Sequence, residues 1–386
     1  MNPTRATGLA LEFMHDFART TGLDPPGNQP HRYLWTDAFA VCNYLGLFKK
    51  SGDLSCRELA LRLIDQVHLV LGRYRYDDVR KGWISGLLPE AGELHPTVGG
   101  LRIGKSFPER QPQEPYDEQQ EWDRDGQYFH YLTQWMHALN QTCMVTNNPV
   151  YQTWAIELAR TAHARFTYRK GGQTRMFWKM STDLSRPLVS SMGQHDPLDG
   201  LVTYAELQFT AGKSGQQHIL EKEIADMTGM VRGISLATED PLGIGGLLSC
   251  SARIARLIIR GGIPYPGLLE SVTTSALCGL ESFTLTRCLD LPARNRLAFR
   301  EFGLSIGLAG IEPLPALIEK YSLMFEGQES AIDSLLALQD YMPLRETIEE
   351  FWLAEENQIS VTWTGHKEIN MVMLATSLAP YGFLDI

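Results

Sequence analysis

The feature that most constrains this chain is a hydrophobic spacing of three and four residues that recurs along nearly its whole length. Between residues 54 and 74, for example, Leu59, Leu63 and Val67 fall on one side of a helix. No stretch alternates between polar and apolar residues for long enough to build a sheet. The sequence therefore predicts an all-α protein. The predicted helices cover residues 1–22, a segment that opens at Thr36 or Asp37, and residues 54–74, 125–146, 149–168, 198–211, 216–230, 242–260, 268–288, 293–308, 313–325, 329–341, 344–355 and 366–378.

Every second predicted helix begins directly after a cluster of polar residues. These clusters are Trp35-Thr36-Asp37, Trp122-Asp123-Arg124-Asp125, His195-Asp196-Pro197-Leu198-Asp199, Thr238-Glu239-Asp240, Asp290 with Arg294 and Asn295, and Thr364-Gly365-His366-Lys367-Glu368. The helices between them begin in plainer sequence, for example at Leu54, Pro149, Gln216 and Leu268. A closed ring of six helical hairpins would produce this alternation, because its inner helices bring their starts together at one mouth. We therefore predict a single domain over residues 1–386.

Two long segments lack the helical pattern. Residues 76–122 and 169–196 are rich in Gly, Pro and charged residues. A connection of this length inside a compact domain is usually functional, disordered or an overlooked element. Because the first segment also carries His95, Arg102 and Lys105, we expect ordered loops over the mouth of the ring. The stretch MFWKMSTD in the second segment is a candidate for a short strand.

Three stretches carry a resemblance to known families: RYLWTDAFAV, EWDRDGQYFHYLTQWMHAL and QHDPLDGLVTYAEL. Together with the alternation of helix starts, they resemble the (α/α)6 toroid of the six-hairpin glycosidases and of the N-acylglucosamine 2-epimerases. The resemblance is one of architecture and extends over nearly the whole chain. It implies a sugar pocket at the mouth of the barrel, by analogy of fold.

Charge and cysteine usage narrow the class of protein. The formal net charge of −10 argues against a nucleic-acid partner and against an anionic membrane surface. The six cysteines are scattered without a CxxC pair, which is typical of a reducing compartment. Glu12 and Asp16 interrupt the apolar core that a signal peptide needs. No uninterrupted apolar run reaches the length of a membrane span. We expect a cytoplasmic protein without a membrane partner; the sequence does not specify its oligomeric state.

The sequence lacks the common motifs for metals and cofactors. It contains no HExxH, no Cys/His zinc spacing, no GxSxG and no GxGxxG after a strand. His130 and His137 lie on one helical face but two turns apart, roughly 10 Å along the axis, which is too far to share one zinc ion. We therefore expect no metal and no cofactor.

The acidic residues near the predicted helix starts are the leading catalytic candidates. An aspartate in this position is also a preferred cap, favoured by the helix dipole. Capping alone does not explain why Trp35 and Trp122 stand beside two of these acids. Glycoside cleavage needs two carboxyl groups, about 5 to 5.5 Å apart for retention or about 6.5 to 9.5 Å apart for inversion. We predict that Asp123 or Asp125 supplies one carboxyl group and Asp37 or Asp199 the other.

Neighbouring residues suit the binding of a small-molecule carbohydrate. The aromatic rings of Trp35, Trp122 and Tyr128 would stack on the apolar face of a sugar. The side chains of Arg102 and Gln127 would hold hydroxyls or an anionic group. His95 opens the stretch HPTVGGLRIGK, a candidate lid over the substrate that also carries Lys105; its glycine and lysine spacing does not match a P-loop.

Two other functions remain open at this point. A sugar epimerase or isomerase would use His195 and His366 to remove and return a proton, because imidazole titrates near neutral pH. A non-catalytic toroid would bind a glycan or a protein, and its acids would all cap helices or pair with arginines. A glycoside hydrolase is the leading hypothesis, with a sugar isomerase and a binding protein as the alternatives.

Overall fold

The computed structural model describes residues 2–213, 215, 218–262 and 265–384, and helices dominate them. The helices are α1 (Pro3–Thr20), α2 (Leu34–Ser51), α3 (Leu54–Leu71), α4 (Pro89–Leu94), α5 (Glu118–Asp123), α6 (Phe129–Thr146), α7 (Pro149–Phe166), α8 (Asp196–Gly212), α9 (Glu221–Val231), α10 (Pro241–Ile259), α11 (Leu268–Leu285), α12 (Ala298–Ile311), α13 (Leu314–Lys320), α14 (Glu329–Leu338), α15 (Pro343–Leu353), α16 (Glu355–Gln358), α17 (Val361–Thr364), α18 (Lys367–Leu378) and α19 (Tyr381–Leu384). Short 3₁₀ turns occur at Cys288–Asp290, Ala293–Asn295, Ser322–Phe325 and Gln339–Tyr341. The predicted all-α class is confirmed.

Five short strands lie among the helices: β1 (Gln127–Tyr128), β2 (Thr167–Lys170), β3 (Gln173–Met176), β4 (Lys179–Met180) and β5 (Pro187–Val189). The strand predicted within MFWKMSTD is confirmed as β4. Strands β2 and β3 form a hairpin that turns through Gly171 and Gly172, both at positive φ. Strand β4 pairs antiparallel with both its near neighbour β5 and the distant β1, so two distant parts of the chain meet in one small sheet.

Some helix starts depart from the prediction. The helix expected from Asp125 begins at Phe129. Gly126 has a φ of 143°, and Gln127 pairs with Met180 of β4, so the chain is extended where a first helical turn was expected. Asp123 is instead the last residue of α5. The helix expected from Gln216 begins at Glu221, and Gln216 itself lies outside the described residues.

The chain divides into two compact units. Unit 1 comprises Met1–Phe17, Lys49–Ser51 and Ile234–Ile386, and unit 2 comprises Ala18–Phe48 and Gly52–Gly233. The single domain over residues 1–386 and the closure of its ring stay predictions. Each unit nevertheless repeats the expected contrast between fully buried helices and helices with one exposed side.

In unit 2, helices α6 and α8 are buried over most of their length, and so is the part of α2 that belongs to this unit. Helix α6 packs against α7 and α8, and α8 packs against α9. A two-residue turn joins α6 to α7. Its Asn147 takes the left-handed conformation that ends α6, and the side chain of Asn148 accepts a hydrogen bond from Val150 N at the start of α7.

In unit 1, α10 packs against α11 and α12, and α12 packs against α15 and α18. Glycines allow α10 and α12 to approach closely. A Cβ on Gly245 would lie only 2.0 Å from the carbonyl oxygen of Gly303, and one on Gly307 would lie 2.5 Å from the carbonyl oxygen of Gly245. These glycines therefore set the distance between the two helices.

Two stretches of unit 1, Pro241–Ile259 and Ala298–Lys320, are long and apolar enough to cross a membrane by length and composition. In each, 72% of the most apolar window is buried inside the protein. A core helix of a soluble protein meets the same criteria. Arg253 and Arg256 interrupt the first stretch. The cytoplasmic location and the absence of a membrane partner stay predictions.

Candidate functional site

Three segments of unit 2 are joined by backbone hydrogen bonds around the residues expected to form the site. Leu34 N donates to the carbonyl of Ile103, and Ile103 N donates to the carbonyl of Gly126, with N–O distances of 3.0 and 2.9 Å. Gly104 permits this approach. Its φ is +94°, and a Cβ there would lie 2.2 Å from the carbonyl oxygen of Arg32. The start of α2, the loop before α5 and the chain before α6 are thus held together.

Asp125 lies at the centre of this junction and is completely buried. It forms an ion pair with Arg102 and accepts hydrogen bonds from the backbone N–H groups of Gly104 and Gly126, at 3.0 and 3.1 Å. The Arg102 guanidinium also donates to the carbonyl oxygens of Val70 and Arg73, at 2.7 Å each. The structure therefore places this predicted acid and this predicted ligand-binding arginine in a buried network that joins segments of the chain.

Asp37 occupies a similar environment in the first turns of α2. Its side chain is buried and pairs with Arg32 at 3.2 Å. It also accepts a hydrogen bond from the backbone N–H of Tyr33, the residue before the helix, at 2.9 Å. This carboxylate therefore satisfies the backbone N–H of the residue that precedes α2.

Gln127 is buried and holds a loop in place. Its Oε1 accepts from Leu101 N at 2.9 Å, and its Nε2 donates to the carbonyls of Gly99 and Thr182 at 3.0 and 2.7 Å. Gly100 has positive φ, and a Cβ there would collide with the Gln127 amide. The amide expected to bind substrate therefore fixes the Gly99–Leu101 turn.

His95 lies apart from this junction. Its Nδ1 is 2.6 Å from a carboxylate oxygen of Glu157, a residue of α7. The adjoining Leu94 carbonyl accepts a hydrogen bond from the indole of Trp154, also on α7. The segment expected to form a lid is thus attached to α7.

A cluster of aromatic side chains lies beside the buried network; we call it the aromatic cluster. Its members are Tyr33, Trp35, Trp122, Tyr128, His130, Tyr131 and Trp178. The ring of Tyr128 lies at its centre, with its centroid 5.2 Å from that of Tyr131 and 5.6 Å from that of Trp178. The hydroxyls of Tyr33 and Tyr131 are hydrogen-bonded at 2.6 Å. The cluster brings together the predicted aromatic residues Trp35, Trp122 and Tyr128, which come from two separate stretches of sequence.

Its members differ in their access to solvent. Tyr128 and Trp35 are buried, with exposed fractions of 3% and 8%. The indole of Trp122, by contrast, is 46% exposed. Trp178, which the sequence analysis did not single out, packs edge-on against Trp122 with centroids 5.1 Å apart. Of the three rings predicted to stack on a sugar, only Trp122 presents a large surface.

Two lysines lie over rings of the cluster. The Lys105 ammonium is 5.4 Å from the ring centre of Tyr33, and the Lys179 ammonium is 5.3 Å from that of Tyr128. Burial lowers the pKa of both lysines. Burial also raises the pKa of Tyr33 to about 12, an effect that the hydrogen bond with Tyr131 partly offsets. The Tyr33 hydroxyl is therefore a neutral hydrogen-bonding group at physiological pH.

Two carboxyl groups near the cluster are not held by lysine or arginine. Asp123 is exposed, and its side chain makes no hydrogen bond or ion pair to any residue that the structure describes, although the charge of Lys105 is close enough to interact with it. Asp196 is buried, with Oδ1 3.3 Å from Nδ1 of His130. Its Oδ2 is buried without a hydrogen-bond partner among the described residues. A Cβ on Gly193 would lie 2.6 Å from this carboxyl group, so the loop before α8 lies directly against it.

The remaining predicted residues occupy the starts of other helices. His195 and Asp199 are at the beginning of α8 in unit 2, where Asp199 N donates to the carbonyl of His195 at 3.0 Å. His366 directly precedes α18 in unit 1, and its ring packs against that of Phe299 with centroids 5.4 Å apart. The two histidines of the isomerase hypothesis thus belong to different units, and their meeting in one site stays a prediction.

The structure adds five residues to the predicted site: Tyr33, His130, Tyr131, Trp178 and Asp196. His130 shares one face of the predicted helix with His137, and Asp196 belongs to the polar cluster that begins at His195, so the sequence contained a signal for both. Trp178 had no local signal, because it reaches the cluster through the pairing of β4 with β1. Across the described part of the chain, no group of three or more His, Cys, Asp or Glu side chains could hold a metal ion.

Comparisons with known proteins give one structural similarity. No protein-family model and no curated protein matches the chain. Among solved structures, the chain is similar to an unsaturated glucuronyl hydrolase specific for heparin, a six-hairpin glycosidase. The two chains are 13% identical, and the match covers 73% of this chain and 84% of the other, with a TM-score of 0.34. Similarity at this level assigns neither the closure of a ring nor a catalytic residue.

Proposed function

We propose that the aromatic cluster of unit 2 is the carbohydrate site of a glycoside hydrolase, with Asp123 and Asp196 as its two carboxyl groups. One observation carries this proposal. Asp37, Asp125 and Glu121 are all neutralised by arginine or lysine, whereas Asp123, which follows Trp122 in the chain, and Asp196, which lies beside His130, have no such ion pair among the described residues. These two groups are therefore available to exchange protons with a substrate.

The surroundings of the two carboxyl groups suit a sugar. Partly exposed rings offer flat apolar surfaces, while the Tyr33 and Tyr131 hydroxyls and the Lys105 ammonium offer hydrogen bonds at their edges. Sugars need both kinds of contact, because their ring C–H groups are apolar and their hydroxyls are polar. The site that we propose is thus assembled from Trp122, which the sequence predicts, and from Trp178, which it does not.

The two acids would play different roles. Asp123 is reached by solvent, and it would take a proton from the water that attacks the sugar carbon and then release that proton to solvent. Asp196 is sheltered beside His130, which is 27% exposed and can pass protons between the carboxyl group and solvent. Asp196 would then protonate the leaving oxygen and regain its proton through His130.

Replacing each acid by its amide tests the proposal. Hydrolysis is measured on a panel of 4-nitrophenyl glycosides and of oligosaccharides, by release of nitrophenol or of reducing ends. We expect Asp123→Asn and Asp196→Asn each to lower turnover by about 10²-fold to 10⁴-fold, with unchanged helical circular dichroism.

Asp226→Asn is the matched control. Asp226 forms a similar contact with His163, at 3.2 Å between helices α9 and α7, and it does not adjoin the aromatic cluster. This variant should keep wild-type turnover. Wild-type turnover in both the Asp123 and Asp196 variants would overturn the proposal.

A second candidate function is the binding of a glycan without cleavage. It is favoured by the ion pairs of Asp37, Asp125 and Glu121, because a binding protein needs no carboxyl group that can exchange protons with a substrate. The same panel separates the two functions. A binding protein would retain a glycan in equilibrium dialysis and release no product after long incubation, whereas a hydrolase would release reducing ends.

A further inference from the structure

The aromatic cluster presents two partly exposed faces. The first face consists of Tyr33, His130 and Tyr131 and adjoins Asp196. The second face consists of Trp122 and Trp178. Asp123 is the residue directly after Trp122 in the chain. The ring of Tyr128 lies between the two faces but is buried. Both faces adjoin this central ring, because the centroid of Tyr131 lies 5.2 Å from that of Tyr128 and the centroid of Trp178 lies 5.6 Å from it.

A fully buried lysine holds the second face in place. The ammonium of Lys179 donates to the backbone carbonyls of Glu121 and Arg124, at 2.6 and 2.8 Å, on either side of Trp122 and Asp123. It also pairs with the Glu121 carboxylate at 2.9 Å. Arg110 reaches the same carboxylate at 2.9 Å from the preceding loop. A short six-residue helix is thereby fixed to the sheet that carries Trp178.

Burying a lysine is costly unless its charge is paired and its donors find acceptors. Here the Glu121 carboxylate pairs the charge, and two carbonyls accept hydrogen bonds from the ammonium. The result is a partly exposed indole pair on a fixed support. Large aromatic side chains that remain exposed on a fixed backbone are typical of binding surfaces. Trp122 is held in this way although its indole is 46% exposed and adds little to the core.

We infer that the second face is a separate sugar subsite, and that the ligand is therefore an oligosaccharide with at least two adjoining sugar residues. This inference rests on the proposed carbohydrate site and adds the length of the substrate to it. One sugar would occupy the first face beside Asp196, and the next would stack on Trp122 and Trp178. The glycosidic bond to be cleaved would then lie between the two faces, within reach of Asp123.

Affinity as a function of chain length tests the inference. Binding is followed by tryptophan fluorescence in the Asp196→Asn protein, which prevents turnover. The ligands are a mono-, di-, tri- and tetrasaccharide of the polymer that the wild-type protein processes or retains. In this background we expect affinity to rise about fivefold to tenfold from the monosaccharide to the first oligosaccharide that reaches the second face. Adding Trp122→Ala or Trp178→Ala should remove most of that increase.

Tyr116→Ala is the matched control, because Tyr116 is an exposed aromatic residue of the same loop that packs on Arg110 outside the cluster. This variant should keep the dependence on chain length. The inference is overturned if affinity does not change with length, or if the two tryptophan variants weaken the monosaccharide and the oligosaccharides equally. Neither of those results would touch the proposed function, which fails separately if no glycan of any length binds or is cleaved.

Discussion

Asp123 and Asp125 are two residues apart in the sequence and lie in opposite environments. Asp125 is buried, and its oxygens are occupied by Arg102 and two backbone N–H groups. Asp123 is exposed at the end of α5 and has no such partner within the described part of the chain. The comparison shows that a dense run of acids is not one functional unit. The partners that the fold brings to each carboxyl group decide whether it supports the structure or is available for chemistry.

The largest effect is expected from Asp125. Asp125→Asn leaves the Arg102 guanidinium buried without its counter-charge, and breaking such a pair costs about 3–5 kcal/mol. We expect urea unfolding at pH 7 to show a loss of stability of that size. This expectation differs from that for a purely catalytic acid, whose amide variant would lose activity and keep its stability. A variant as stable as wild type would show that the ion pair contributes nothing to the fold.

Lys179 should come next. Lys179→Met keeps most of the side-chain volume but removes the donor to the Glu121 and Arg124 carbonyls. Arg110 then remains as the ion-pair partner of the Glu121 carboxylate. We expect a loss of about 1–3 kcal/mol in the free energy of unfolding. The emission of Trp122 and Trp178 should also shift to longer wavelength as α5 loosens. Lys81→Met is the control, because Lys81 is exposed and donates to the Tyr76 carbonyl alone. An unshifted emission spectrum would argue that the indole pair does not depend on Lys179.

A third effect follows from a buried histidine in the interior of unit 2. Nε2 of His68 accepts a hydrogen bond from the indole of Trp135 at 3.1 Å, and burial lowers the pKa of His68 from 6.5 to about 3. Between these pH values the unfolded chain binds a proton that the folded chain does not. Stability should therefore fall as the pH drops from 6.5 towards 3, by up to about 1.4 kcal/mol for each pH unit from this group.

Urea unfolding of wild type and of His68→Gln at pH 7.5, 5.5 and 4.5 measures that contribution. Glutamine can accept the Trp135 hydrogen bond through its amide oxygen but does not titrate. The variant should show the weaker dependence on pH. The same dependence in both proteins would contradict the lowered pKa of His68.

The smallest change in stability is expected from Asp123. Asp123→Asn alters an exposed side chain away from any ion pair, so the free energy of unfolding should stay within about 0.5 kcal/mol of wild type. The same variant should lose most of the turnover. The two variants together test the difference between the acids. Asp123→Asn should lose activity at full stability, whereas Asp125→Asn should lose stability. Equal destabilisation of both variants would remove the distinction.

The sequence predicted local elements well and their contacts poorly. Helical spacing located most helices, because that signal depends on residues three and four apart. It placed the start of α6 at Asp125, because an aspartate before an apolar run has the features of a helix cap. In the structure, Gln127 pairs with Met180 and Asp125 meets Arg102, and both contacts join positions far apart in the chain. A single sequence carries no signal for such pairings.

In the candidate site, too, the residues with a local signal were predicted and those placed by long-range contacts were not. Trp122 and Asp123 were predicted from their own neighbourhood, and they remain the exposed part of the proposed site. Trp178 enters the site only because β4 pairs with β1, and Asp196 only because the start of α8 packs beside His130. The ring that would join the two units stays a prediction, as does the meeting of His195 with His366.

The most direct test of the central claim is a crystal structure of the Asp196→Asn protein soaked with an oligosaccharide that the wild-type protein processes or retains. We predict one sugar ring on the first face of the aromatic cluster, beside Tyr131, and the next on the second face, beside Trp122 and Trp178. The glycosidic oxygen should lie between the substituted side chain of the variant and the carboxyl group of Asp123. A sugar bound elsewhere on the protein, with both faces of the aromatic cluster unoccupied, would contradict the account.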